Sequence, residues 1–505
     1  MSAYNQESPP SSILIVGAGV FGLSTALALL CNPKYKSTTV TLLDNQTPRP
    51  GDATIPKNPL TASIDSSRII RADYASPLYA SLANKAQKLW RQGWGGENNY
   101  HETGLLLDAD DPDTDGGKGK RYVVNSVGNV RKLEKEWGLG VYRKPAEELK
   151  SHEEIKQVML GTEGDSGVLG YINWGSGWAD AEAAVEHIRV RVALLGQQRE
   201  REGGAPFNWR IARVKRLIFD EEVTDIKTSS SLNHVSNGTI MHPSPRTIRT
   251  VNGVHVTGLA EETTLSATLT ILATGAWTPD ILDTRHQLRA TGQILAYLTL
   301  TDEEASTLRE TPVMLNMSTG LFIIPPSPTA NILKIARHGY GYSNPTQIPN
   351  PDVDSTQDLQ GDLYVPSLPP SNPDHMAQIP PEGHAALRAY LSTLIPSLAT
   401  RVFTAARTCW YTDTLTGDFL ISYHPRYHNL FLATGGSGHG FKFFPVIGEE
   451  VIKGIEGTLE PEWVTVWSWK DGVREEGEER EEMWETEDGS RGGPKGLVWK
   501  EEMDK

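Results

Sequence analysis

The first patterned stretch, "ILIVGAGVFGLSTALALL", begins with four apolar residues, Ile13–Val16, and no polar position among them. Such a short β-branched run predicts a strand buried on both faces. It meets a glycine turn and then an alanine-rich apolar stretch that predicts a helix. "TVTLLD" (Thr39–Asp44) predicts a second buried strand ending in an acid. Strand, glycine turn and helix recur late in the chain in "TLTILATGAW" (Thr268–Trp277) and "NLFLATGGSGHGFKFFPVIGEEVI". Residues 79–150 predict mostly helix with a polar surface, broken by the turn-rich "DADDPDTDGGKGK". In "GYINWGSGWADAEAAVEHIRVRVALL" a glycine turn precedes Asp180, a predicted N-cap, and a helix. Residues 286–340 alternate as strands do. In "NILKIARHGY" that places Ile332, Lys334, Ala336 and His338 on one face and Leu333, Ile335 and Arg337 on the other. The Ser/Thr-rich 221–250 predicts a loop between strands, and the proline-rich 344–382 a long surface loop.

Glycine turns that join strands to helices at both ends of the chain predict an α/β nucleotide-binding domain built from distant segments, with a second domain inserted. A chain of 505 residues is long enough for both. The formal net charge of −15 argues against nucleic acid as the main partner. Much of it lies in "EEGEEREEMWETEDGS", which predicts a solvated, disordered tail. No apolar run suits a membrane span. The N-terminus lacks the pattern of a secretion signal, and "MDK" is not the Ser-Lys-Leu signal, so a cytoplasmic location is expected. The two cysteines suit a reducing compartment. No metal site is expected.

Gly17, Gly19 and Gly22 form G-x-G-x-x-G between strand and helix. The first permits the tight turn, the second lets a pyrophosphate approach, and the third lets helix and strand pack closely. Asp44 follows about twenty residues later, where an acid accepts a bond from a ribose hydroxyl. "ILATGAWT", with Gly275, is either a second flavin-fold signature or an ordinary strand and turn. Arg68 and Arg71 flank two isoleucines. They share a face on a helix and oppose one another on a strand, so they read either as a carboxylate grip or as surface arginines. Lys334 reads as a cavity cation or as an edge-strand lysine. In "GGSGHGFK" the glycines allow close approach of a ligand to the backbone before Lys442, or else form a flexible loop. Cys31, ending the first helix, reads as a small buried hydrophobe, and Cys409, in "RTCWYTDT", is open to the same reading.

The segments "GAGVFGLSTALAL", "SRIIRADY", "GSGWADA", "LATGAWT", "LKIARHG", "CWYTDT" and "SGHGFK" occur here in that order. Together they resemble the monomeric sarcosine oxidase family of FAD-dependent amine oxidases. Its fungal relatives include L-pipecolate and L-saccharopine oxidases and the fructosyl amino acid oxidases. The resemblance runs from about residue 12 to 460. It implies a Rossmann-like FAD-binding domain interleaved with an α+β substrate domain on a mixed or antiparallel sheet. The expected FAD segments are 1–90, 166–285 with an insertion at 221–250, and 401–465. The expected substrate segments are 91–165 and 286–400, with a proline-rich loop at 345–382, and the tail is 470–505.

By the same resemblance, FAD is bound by Gly17, Gly19, Val20, Phe21, Gly22, Asp44, Ser67, Arg68, Gly275, Gly438, Gly440, Phe441 and Lys442. Cys409 would bond covalently to the 8α carbon of its ring. Lys334 would stand near the flavin and promote reaction with oxygen, with Arg68 beside the ring. Arg71 and Lys442 would hold a substrate carboxylate; His338 and Tyr411 would line the pocket. Ile64 and Phe322 replace a histidine and a tyrosine of sarcosine oxidases and imply a different pocket. Both arginines of "SRIIR" and His439 are kept, which places the chain nearer the pipecolate and saccharopine type than the deglycating type. The implied activity is oxidation of a secondary amine, an N-substituted or cyclic L-amino acid, to an imine, with oxygen reduced to peroxide. The expected molecule is a monomer whose partners are a small amine and O2. A deglycating oxidase, an amine oxidase whose imine closes a ring, an NAD-dependent dehydrogenase and a non-catalytic flavin carrier are the alternatives.

Overall fold

The computed structural model describes residues 8–45, 61–110, 115–137, 144–222, 248–258, 262–284, 287–352, 363–470 and 489–505. Strand Ser12–Val16 pairs in parallel with Thr39–Asp44 on one side and Leu269–Leu272 on the other. Phe207–Ile211 and Leu430–Thr434 extend the sheet in parallel, and Leu420–Tyr423 closes one edge antiparallel, making six strands. Ile13 and Ile15 pack with Leu23, Ala184 and Ile447 from helices Val20–Cys31, Ala181–Arg201 and Phe444–Glu456. Leu14 and Val16 face the other way, onto Leu217, Val251 and Val254 of strands Arg213–Glu222 and Ile248–Thr257. Burial on both faces is the physical cause of the uninterrupted apolar run.

The second sheet has ten strands. At its centre Arg289–Thr299 pairs antiparallel with both Ile332–Arg337 and Ala405–Asp413. Leu321–Ile324 and Val313–Asn316 continue outward, followed by Leu105–Ala109, Leu169–Asn173 and Glu147–Leu149. One face packs Leu333, Ile335 and Ile294 against Leu387 and Leu391 of helix Pro381–Leu394. The opposite face presents Phe322, Ile324, Ala336, Cys409 and Tyr411. That face turns toward the first sheet and carries the site. A small sheet joins the two parts: Arg68–Ile70 and Tyr100–His101 both pair with Gly177–Ala179.

Several expectations are corrected. Residues 79–150 are mostly helix among the described residues, as expected, but they also hold a strand of the large sheet. Helices Pro77–Arg91 and Lys118–Trp137 frame the strand Leu105–Ala109, buried at every position and too short to make a helix with a polar face. Leu169–Asn173 and Ala405–Asp413 belong to the large sheet rather than to the nucleotide part. Cys31, the last residue of its helix, is exposed, while Leu29 two positions earlier is buried. Asp180 stands at the N-cap position, but its carboxylate bonds His101 Nε2 at 2.9 Å instead of capping the helix.

Residues 489–505 do not form a solvated tail. Leu497–Val498 pairs with Tyr342–Ser343, and Trp499 of helix Trp499–Met503 is 5% exposed against the core of the large sheet. Apolar residues following the acidic run supply the reason: they can be buried, whereas the run cannot. The run itself falls almost wholly outside the described residues, as do most of the 221–250 insertion and residues 353–362 of the proline-rich loop. Either side of the latter, Ile348–Pro349 pairs with Leu363–Tyr364. Among the described residues no helix is long and apolar enough to cross a membrane, and no acid, His and Cys group suits a metal.

Candidate active site

The turn after the first strand has no room for side chains at Gly17 and Gly22. Gly17 has φ +104°, and a Cβ there would lie 2.4 Å from the carbonyl oxygen of Ala273. A Cβ on Gly22 would lie 1.8 Å from the Gly17 oxygen, so the helix packs directly on the turn. Gly19 occupies the N-cap of helix Val20–Cys31 without a side-chain cap. Asp44 reaches back, its Oδ2 accepting from the Ala18 amide at 2.8 Å, and the Val20 amide donates to Ser63 Oγ at 3.0 Å. Phe21 is covered by the second glycine turn, where Cβ atoms on Gly436 or Gly440 would stand 3.2 Å from its ring. Gly275 opens the turn Gly275–Asp280 with φ +54°, beside Thr412. A glycine-lined helix N-terminus with an acid ending the next strand is the donor set a dinucleotide pyrophosphate and ribose require, so these residues fit FAD.

A cavity lies between the large sheet and the second glycine turn. Its wall includes Arg68, Arg71, Phe322, Lys334, His338 and Tyr411, together with Gly438, His439, Phe441 and Lys442 of the second glycine turn. Arg68 and Arg71 both reach it because the strand ends at Ile70, so the alternation that would oppose them is not continued. Lys334 lies on an interior strand, which removes the edge-strand reading, and it shares a face with His338 as the alternation predicts. Cys409 lies just behind the wall, buried, with Arg68 Nη2 3.5 Å from its sulfur. Cys409 and Tyr411 face the same way from one strand. The Ser67 carbonyl accepts from Lys334 Nζ at 2.8 Å, and the Ile64 carbonyl accepts from Arg407 Nη2 at 2.6 Å. Ile64 therefore contributes backbone behind the cavity rather than a side chain on the cavity wall.

The electrostatics divide the cavity in two. On one side Arg71 is 4% exposed, donates to Tyr122 Oη at 3.2 Å, and leaves its buried Nη1 without a hydrogen-bond partner. Lys442 donates to Tyr74 Oη at 3.0 Å and to the His439 carbonyl at 3.1 Å. Burial, and then the Arg71 charge, push the Lys442 ammonium well below its ordinary value. Among the described residues no carboxylate lies within ion-pair distance of either group, though the charge of buried Asp73 acts on both. His338 is kept neutral by burial and then by the Arg491 charge. On the other side Lys334, pushed down to about 8 chiefly by burial, donates to Asp65 at 2.7 Å.

Sequence reasoning missed Asp65, Tyr74, Tyr122 and Arg491. Arg491 is 4% exposed and donates to Asp413 Oδ1 at 2.6 Å, to the Ser437 carbonyl at 2.9 Å and to the Gly339 carbonyl at 3.0 Å. Its guanidinium carbon lies 5.6 Å from the centre of the Tyr411 ring. The signal available for it was the glycine- and proline-bearing "SRGGP" that breaks the acidic run.

Comparison with known proteins agrees with this geometry. The amino acid oxidase imqH of Aspergillus flavus is 29% identical over 484 residues, covering 88% of this chain and 92% of that protein. The L-saccharopine oxidase of Schizosaccharomyces pombe is 29% identical, covering 91% and 93%. The solved structure of the fructosamine oxidase Amadoriase II from Aspergillus fumigatus, in complex with FSA, is 28% identical. It superposes with a TM-score of 0.70 over 97% of this chain and 96% of that one. The DAO family of FAD dependent oxidoreductases matches residues 12–453. Glycine turns, acid and cavity all fall within that span, and the chain belongs to the DAO family of FAD dependent oxidoreductases.

Proposed function

We propose that this protein oxidises the C–N bond of a secondary amine bearing a carboxylate, an N-substituted or cyclic L-amino acid, to an imine, with O2 as acceptor. The observation that carries the reading is the pair Arg71 and Lys442: a buried guanidinium and a buried lysine amine facing one cavity, neither with an ion-pair partner among the described residues. Buried charges are tolerated when paired, and a substrate carboxylate would supply the missing partner. Bound FAD supplies the two-electron chemistry. The chain's own residues orient and polarise. Arg71 and Lys442 fix the carboxylate end and thereby the amine carbon. Neutral His338 can accept a hydrogen bond from the amine. Lys334 places positive charge where dioxygen gains electrons. Cys409 is the residue for a covalent flavin link, with Arg68 beside its sulfur as an electrostatic partner. Similarity to fungal amino acid and saccharopine oxidases supports this class of substrate, and similarity to amadoriases keeps a deglycating activity as the second reading.

One experiment tests these assignments. Purified protein is assayed for peroxide release against cyclic, N-alkyl and fructosyl amino acids and their decarboxylated counterparts. Turnover confined to carboxylated, non-glycated amines is expected; equal turnover of decarboxylated amines would remove the role given to Arg71 and Lys442. Acid precipitation of the same sample should leave the yellow colour with the polypeptide, and colour in the supernatant would end the claim for Cys409.

A further inference from the structure

Behind the cavity wall one carboxylate gathers charge from several elements. The Asp65 side chain is wholly buried. Its Oδ2 accepts from Lys334 Nζ and from Arg68 Nη1, each at 2.7 Å, and Arg407 Nη2 lies 3.6 Å away. Its Oδ1 accepts from the Ser66 amide at 2.8 Å and from the Tyr297 hydroxyl. Three cations thus converge on a single acid, from strands Arg68–Ile70, Ile332–Arg337 and Ala405–Asp413. The arginines have further acceptors in the Ala62 and Ile64 carbonyls. Lys334 has the neutral Ser67 carbonyl besides Asp65, and among the described residues Asp65 is the carboxylate within ion-pair distance of it.

We propose that Asp65 is the positioning residue of Lys334, holding its ammonium charged and fixed in place on the cavity wall. The inference rests on the reading above, in which Lys334 serves the reaction with dioxygen. Lys334 is 1% exposed, and a buried ammonium stays protonated only while a partner offsets its lost hydration. The groups that face the cluster are Asp65 and Arg68 from one segment, Arg407, Cys409 and Tyr411 from a second, and Tyr297 from a third. Burial, Arg68 and Arg407 all drive Lys334 toward the neutral amine, and the pull of Asp65 opposes them. With Asp65 gone, those three influences act unopposed. The same carboxylate orients Arg68, whose other nitrogen faces Cys409, so one acid braces both functional cations of this half of the cavity.

The test uses the flavin-loaded protein with 13C at lysine Cε, the Lys334 signal being assigned by its loss in Lys334→Met. In Asp65→Asn the Lys334 titration midpoint is expected to fall by about one pH unit or more, a tenfold loss of proton affinity. Asp65→Glu should recover part of the shift. Stopped-flow reoxidation followed against pH should show the same displacement, leaving reduction by substrate less affected. An unmoved midpoint in Asp65→Asn overturns the proposal. A displaced midpoint with an unchanged oxygen reaction upholds Asp65 and overturns the dioxygen role of Lys334. Should Asp65→Asn not fold, Asp65→Asn with Arg407→Gln is compared with Arg407→Gln alone and read by the same criterion.

Discussion

Asp108 is a carboxylate of the other kind, without a cation. It sits fully buried in strand Leu105–Ala109, with Oδ2 accepting from Ser166 Oγ at 2.7 Å and Oδ1 lacking a hydrogen-bond partner. Burial, and in lesser degree Asp110, raise it to about 7. The folded protein therefore holds this proton more tightly than the unfolded chain. Stability from the protonated acid is present below the unfolded value, roughly 4, and is lost as pH rises through about 7. Asp108→Asn has no such loss, so its melting temperature should exceed that of the parent more at pH 8 than at pH 5. A constant difference between the two pH values would show that Asp108 gives up its proton as readily in the folded protein as in the unfolded chain. Legibility differed among single residues for physical reasons. Lys334 and His338 could be placed together because strand alternation is a local rule. Asp65 could not, since a carboxylate beside three cations exists only once segments far apart in sequence have met.

Among the elements, the parallel strands of the nucleotide part were readable because burial on both faces leaves no polar position, and the glycines then mark the turns. The strand Leu105–Ala109 escaped notice because an acid interrupts a short run between two longer helices. The closing segment escaped because a dense acidic run hid the apolar residues after it. The contact between the first strand's turn and helix Val20–Cys31 carries its own prediction. Gly22→Ala would put a methyl group 1.8 Å from the Gly17 oxygen, which neither backbone can yield without parting helix from turn. Overpacking of this sort costs about 1–3 kcal/mol. The expected result is a lower melting temperature together with a reduced ratio of flavin to protein absorbance. Full flavin content in the variant would mean that the turn has more slack than its glycines indicate.

For the molecule as a whole, the cavity is walled by the large sheet and the second glycine turn, and residues 489–505 brace the segments that carry that wall. Arg491 ties the strand bearing Asp413 to the turns at Gly339 and Ser437, and Trp499 fills the core beside Tyr342. Deleting residues 489–505 should therefore do two things at once: expose apolar surface, read as increased binding of a hydrophobic dye, and lower turnover on carboxylated amines. A truncated protein with parental turnover would confine the segment to packing.

Arg491 also follows, in the order of synthesis, every described residue that lines the cavity. A ribosome must have made the rest of the two-sheet body before this guanidinium can dock on Asp413. The bracing of that wall through Asp413, Gly339 and Ser437 is thus a late event in the making of the two-sheet body.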